Sequence, residues 1–324
     1  MAVTPLGGTG LSYASSAFLA IILETLFYGL FVFMFIISTF VLFRKRTRSQ
    51  TSLANVNLPL LSISSIMFIF GTVHLILDAY RAMESFVFYP EGAFAYLLAT
   101  GTNTPLYISK NVIYHAQTFL GDIFMIYRLY KVWGGNGLIC LPFVMCLLAS
   151  IAAGAGALTT QTLRNQSQSI FSSALHDWPL AFLVMTLVIN VGCTGLVAYR
   201  IFSVDRETKI LNVGTLVPVA VVMLESGCLY TIATAIQLAM FMDNSGAYKI
   251  AQDTLVQLIG LIFCGIIASV GLGLSDATKN GVKSTKTSAL VFGTRSSRIV
   301  TDSMADSTHP DSTIEQPDIE KGSS

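Results

Sequence analysis

Seven stretches of the chain stay apolar for about 20 residues or more, and charge, glycine or proline marks the breaks between them. They run near Phe18 to Phe43, Leu58 to Leu77, Asn111 to Tyr130, Leu138 to Leu158, Trp178 to Phe202, Gly214 to Met242 and Thr254 to Leu274. Runs of that length match a hydrocarbon core of roughly 30 Å. A backbone in lipid has no water to satisfy its amides, so each run is predicted helical. The expected fold class is an all-α membrane protein, a seven-transmembrane helix bundle. Residues 1–17 read as a short extracellular segment without the basic leader of a cleavable signal, and 18–274 as the transmembrane domain. From Ser275 the composition shifts to Ser, Thr, Asp, Gly and Pro, so 275–324 is expected to be a disordered cytosolic tail.

Composition agrees with this pattern: 53% of residues are hydrophobic and only 11% charged, which is not the balance of a water-soluble domain. Near-equal charge, 19 Lys plus Arg against 18 Asp plus Glu, gives no pull toward nucleic acid. The distribution of charge is more informative. Arg44, Lys45, Arg46, Arg48, Arg128, Lys131, Arg200, Arg206, Lys209 and the six basic residues of the tail fall on one side of the seven spans. Arg81, Lys110, Arg164 and Lys249 fall on the other. By the positive-inside rule the amino terminus is outside and the carboxyl terminus cytosolic. Lipid is therefore the first partner, in a multi-pass protein for which the plasma membrane is the favoured location and an endomembrane the alternative. Asn165-Gln166-Ser167, an acceptor pattern for N-glycosylation at Asn165, lies in a loop on the predicted outer side.

The third run interrupts its apolar pattern in a regular way. Asn111, His115, Thr118 and Asp122 fall at i, i+4, i+7 and i+11, on one helical face. Asp122 is roughly 16 Å from the outer end at ~1.5 Å per residue, near mid-membrane. A charge there costs about 2.5 to 3.5 kcal/mol on insertion scales, so the stripe faces the bundle. Asn190 in the fifth run and Glu225 in the sixth lie at similar depth, and Glu24 lies higher in the first. No lysine or arginine is placed at that depth to pair with them. A neutral acid joining helices and a ligand, ion or proton site both fit these groups.

In the sixth run Ser226, Tyr230, Thr234 and Gln237 share a stripe, and Glu225 points more than a quarter turn away. The preferred assignment gives Ser226, Tyr230, Thr234 and Gln237 to an outward-opening pocket, with Asp122, His115, Thr118 and Asn190 as ligand or proton contacts. Glu225 then bonds a neighbouring helix, or in the opposite assignment is itself a titrating group. At the outer end of the second run His74, Asp78 and Arg81 are spaced for contact along one helix, which suits an interfacial ion pair or a protonation-sensitive gate. Arg128, Lys131 and Arg200, with Tyr127, Tyr130 and Trp133, form an aromatic and basic cytosolic interface, read as anchoring or as a surface for a cytosolic signalling partner. Ser303, Thr308 and Ser312 each have an acidic residue three positions on, a setting for acid-directed phosphorylation.

Several activities are argued against. The five cysteines lie in apolar runs without metal-ligand spacing, no lysine in the last run could carry a retinal Schiff base, and no phosphate loop or nucleophile elbow occurs. No cofactor, metal site or enzymatic activity is expected. Gly121-Asp122 through Trp133, Asn190 to Ile201, Glu225-Ser226-Gly227-Cys228-Leu229-Tyr230 and Gln257 to Gly273 together resemble a family of orphan seven-span proteins from mushroom-forming fungi, over nearly all of residues 20–275. That resemblance implies the architecture and no specific activity. A looser resemblance to G-protein-coupled receptors rests on span count, polarity and Tyr127-Arg128, which ends the third run about where those receptors place Asp-Arg-Tyr. The chain departs from them in lacking their outer cysteine pair and Asn-Pro-x-x-Tyr. Three functions stay open: a receptor or sensor with a small-molecule or ion pocket between the third, fifth and sixth helices, a proton-coupled transporter using Asp122 and Glu225, and a structural membrane protein.

Overall fold

The structure, a computed structural model, describes residues 13–48, 58–90, 96, 104–162, 173–209, 217–243 and 246–279. Within them lie seven α-helices: α1 (Tyr13–Arg48), α2 (Leu58–Met83), α3 (Pro105–Val132), α4 (Gly137–Thr162), α5 (Ser173–Lys209), α6 (Val217–Met242) and α7 (Tyr248–Lys279). A π-helical turn, Glu84–Phe88, prolongs α2. No strand occurs among the described residues. Each apolar run overlaps one helix, and every helix but α6 is longer than its run, because apolarity marks the part of a helix that lipid can cover and not its hydrogen-bonded length. Thus α7 continues past Leu274 to Lys279. Asn165, Ser303, Thr308 and Ser312 lie outside the described residues.

Side-chain pairs fix the helix directions. Tyr28 meets Thr72 and Phe35 stacks on Phe68, so α1 and α2 run antiparallel. Glu24 meets Gln257 while Gln117 meets Val256 and Phe124 packs on Phe263, so α1, α3 and α7 run the same way as one another. Tyr114 with Gln237 and Asp122 with Tyr230 set α6 antiparallel to α3. Consecutive helices pack side by side and α7 returns to α1, closing a ring, while α3 also packs on α5 and α7. In consequence α3 exposes only a narrow strip that includes Ser109, Val112, Ile123 and Tyr130.

The distribution of polarity is inverted relative to a water-soluble fold. Leu26, Phe33, Ile36 and Phe40 on α1 and Leu229, Ile232 and Ile236 on α6 are exposed, whereas Glu24, His74, Gln117, Asp122, Asn190 and Gln257 have no exposed surface. All helices except α3 are long and apolar enough to cross a membrane. The exception is the helix carrying Lys110, Asn111, His115, Gln117, Asp122 and Arg128, all buried. Its polarity is spent inside the protein. Cys140, Cys193 and Cys264 are buried, Cys146 is partly so, and Cys228 faces outward.

Small residues let the ring close. Gly260 of α7 receives the fully buried Phe31 ring of α1 where a methyl group would otherwise stand. Gly154 of α4 leaves room for His115, whose Cδ2 lies 2.8 Å from where a Cβ would be. A Gly260→Val substitution is expected to lower stability by about 1 to 3 kcal/mol through overpacking. The midpoint of thermal unfolding in detergent, measured beside an exposed control such as Ile236→Val, would show it.

Candidate functional site

α3 begins where Thr104, in an extended conformation, leads into Pro105 at the first helical position, so the helix starts well before its apolar run. This early start brings Lys110 and Asn111 inside the bundle. From there α3 and α6 are joined at three levels. Tyr114 and Gln237 exchange hydrogen bonds of 2.9 and 3.1 Å, the Tyr230 hydroxyl donates to Asp122 Oδ1 at 3.2 Å, and Arg128 Nη1 reaches Ser226 Oγ at 3.5 Å. Residues 114 to 128 of α3 span about 21 Å at ~1.5 Å per residue, so the links cover much of the helix.

The first of these links borders a small cavity of about 30 Å³ lined by α3 (Asn111, Tyr114, His115), α4, α5, α6 (Gln237, Phe241) and α7 (Tyr248, Gln252). That volume is enough for about two water molecules. Its lining includes four carboxamides, those of Asn111, Gln161, Gln237 and Gln252, and no carboxylate, lysine or arginine. Asn111 ties three helices together, donating to Gln161 at 3.0 Å and accepting from Gln252 at 2.9 Å. The Asn111 carbonyl accepts from His115 Nδ1 at 2.7 Å, so Nδ1 carries a proton. Such a surface is suited to a small uncharged solute with both donors and acceptors.

Asp122 is sealed beneath this cavity with no exposed surface. Its Oδ1 accepts from Asn190 Nδ2 at 3.3 Å and from Tyr230, while Oδ2 lacks a hydrogen-bond partner among the described residues. Asn190 also donates to the Thr186 carbonyl at 2.9 Å. The carboxyl therefore knots α3, α5 and α6 at mid-length. Thr118 and Thr234 turn back to carbonyls of their own helices, Tyr114 and Tyr230. Of the residues expected at a pocket, His115 and Gln237 line the cavity; Asp122, Thr118, Asn190, Ser226, Tyr230 and Thr234 do not.

No family model, curated protein or solved structure matches the chain. Its chemistry is therefore read from its own residues. Glu225 is exposed on the outer side of α6, away from the Tyr230 stripe. At the far end of α3 the cations sit on aromatic faces: Lys131 is 5.4 Å from the Tyr127 ring centre and Arg200 is 5.4 Å from that of Trp133, which stacks on Tyr199. Arg128 itself is buried, at 3% exposure, so it belongs to the bundle interior and not to that surface.

A second polar site lies at the end of the bundle where α3 begins; it contains His74 and Asp78, expected there from their spacing, together with Lys110 and Asp253, which were not. Lys110 Nζ bridges Asp78 Oδ1 at 2.5 Å and Asp253 Oδ2 at 2.7 Å, joining α2, α3 and α7. His74 Nδ1 lies 2.6 Å from Glu24 Oε1, which also accepts from Gln257 at 3.0 Å. One oxygen from each of Glu24, Asp78 and Asp253 lies within 4.8 Å of the others, and the ammonium supplies the opposing charge. Asp78 thus reaches across to Lys110, and its helix neighbours turn elsewhere, His74 to Glu24 and Arg81 to the Tyr107 ring at 4.6 Å. Lys110 was counted among the charges between spans because it flanks the third run, and Asp253 stands just before the seventh; Pro105 and the Gly246-Ala247 turn before α7 are the signals that the helices start earlier.

Two substitutions separate these sites energetically. Lys110→Met leaves Asp78 and Asp253 buried without their ammonium and is expected to cost about 3 to 5 kcal/mol. Tyr230→Phe removes one interhelical donor and is expected to cost about 0.6 kcal/mol, at most about 1.7. Unfolding midpoints of the two variants in one detergent would test that order.

Proposed function

We propose that the chain is a seven-span membrane receptor or sensor, amino terminus outside, that recognises a small uncharged polar solute in the cavity between α3, α4, α5, α6 and α7. The observation carrying this reading is the three-level set of polar links between α3 and α6, which starts at the cavity and ends at Arg128 and Ser226. A solute that inserts among the carboxamides competes with the Tyr114–Gln237 pair. Loss of that pair biases α6 along α3, and the bias reaches the opposite end, where the buried Arg128 meets Ser226 and where Lys131 and Arg200 face a cytosolic partner. Asp122 acts here as a positioning residue that holds α5 and α6 to α3. The likeness of the four quoted segments to the orphan fungal seven-span family supports the span count and adds no ligand.

A transport reading draws on one specific observation, the unpartnered Oδ2 of the sealed Asp122. The two readings diverge in measurement. With full-length protein in lipid nanodiscs and Trp178→Phe as background, Trp133 is the one remaining tryptophan. A panel of small polyols and amides should include members that shift Trp133 emission saturably, and Gln237→Leu should abolish the shift. No shift in the panel, together with proton uptake into proteoliposomes that Asp122→Asn stops, would replace the receptor reading with transport.

A further inference from the structure

We infer that His74 is a proton-binding site that clasps α1, α2 and α7, independently of any solute in the cavity. The hydrogen bonds around it leave little freedom in where its first proton sits. Gln257 Nε2 donates to the Gly71 carbonyl at 3.0 Å, which fixes the orientation of that amide, and the same nitrogen donates to Glu24 Oε1. With Glu24 ionised, Oε1 only accepts, from Gln257 and from His74 Nδ1–H alike.

The other ring nitrogen then carries a lone pair. His74 Nε2 faces Asp253 Oδ1 at 4.0 Å, and neither atom has a hydrogen-bond partner among the described residues. Both residues are nine-tenths or more buried, at 0% and 1% exposure. Two acceptors turned toward each other in a sealed site call for a donor between them. Adding a proton to Nε2 supplies one at once. The imidazolium then lies between the carboxylates of Glu24 and Asp253, and a charge-assisted N–H···O bond of about 2.8 Å requires α7 to approach α2 by roughly 1 Å.

The charged groups around the ring come from every helix packed there: Glu24 on α1, Asp78 and Arg81 on α2 itself, Lys110 on α3, and Lys249 and Asp253 on α7. Lys110 bridges Asp78 and Asp253 through its ammonium, and Arg81 and Lys249 lie over the Tyr107 ring. Exposure rises outward, from Glu24 and His74 at 0% to Asp78 and Lys249 at 6%. The proton comes from water at this end, hydronium becoming water as Nε2 takes it.

Ring-labelled histidine in full-length protein, reconstituted in lipid nanodiscs, tests the site directly by nitrogen-15 NMR. The chain has four histidines, and His74→Gln identifies the pair of signals that belongs to His74. As the sample is acidified from about pH 8 to about pH 5, the clasp requires the His74 Nε2 signal to change from acceptor to protonated while Nδ1 keeps its own proton throughout. An Nε2 signal that stays in one state over the whole range overturns the proposal. Asp253→Asn removes the anion that faces Nε2 and is expected to abolish the change within that range. If it titrates like the wild type, the clasp is overturned, and the same spectra supply the assignment by difference should His74→Gln fail to accumulate.

Discussion

A helix that carries Lys110, Asn111, His115, Gln117, Asp122 and Arg128 cannot turn these groups toward hydrocarbon, and the placement of the other helices answers that restriction. Apart from His115, which bonds the Asn111 carbonyl of its own helix, these groups meet partners from several directions: Asp78 from α2, Gln161 from α4, Asn190 from α5, Ser226 and Tyr230 from α6, Gln252, Asp253 and Val256 from α7. Only α1 makes no such bond to α3 among those described. It closes the ring by gripping α7, through Phe31 on Gly260 and Glu24 on Gln257.

Two polar sites result, and they differ in kind. The cavity is lined by carboxamides, a histidine and aromatic rings, groups that exchange partners at little electrostatic cost. The second site is built from ionisable side chains in a dry setting, where Lys110 holds Asp78 and Asp253 and His74 meets Glu24, so the loss of Lys110 strands two carboxylates. Asn111 and Lys110, adjacent on α3, belong one to each site, as do Gln252 and Asp253 on α7. Neutral exchange and charged clasp are therefore built on the same two helix starts.

The fold was largely legible because lipid imposes one simple rule: a run of apolar residues long enough to cross must be a helix. Seven runs fall on seven helices among the described residues, and for all but α3 that rule is the reason. The stripe from Asn111 to Asp122 was equally legible, since helical periodicity alone puts those residues on one face, and all four are buried. Which helix each would meet was not legible, because periodicity describes one helix at a time. Asp122 looked like a pocket floor and is a sealed junction, while the carboxamides Gln161 and Gln252 gave no sign of importance until three helices brought them to Asn111. Lys110 and Asp253 were hidden by the rule itself, which ends a span at the first charge and so places in water two residues that the protein buries.

The composition of α3 also bears on how the bundle is assembled. During synthesis α3 is made before α5, α6 and α7, so when it emerges neither Asn190, Tyr230, Gln237 nor Asp253 yet exists. Until they do, the most polar helix of the protein has only α1, α2 and then α4 beside it, and lipid is a poor solvent for Gln117 and Asp122. The last helix made supplies the partners of Lys110, Asn111 and Gln117. Completion of the chain, more than insertion of any one span, is the event that makes α3 soluble in its surroundings, and a chain that stops short of α7 leaves its central helix without a home.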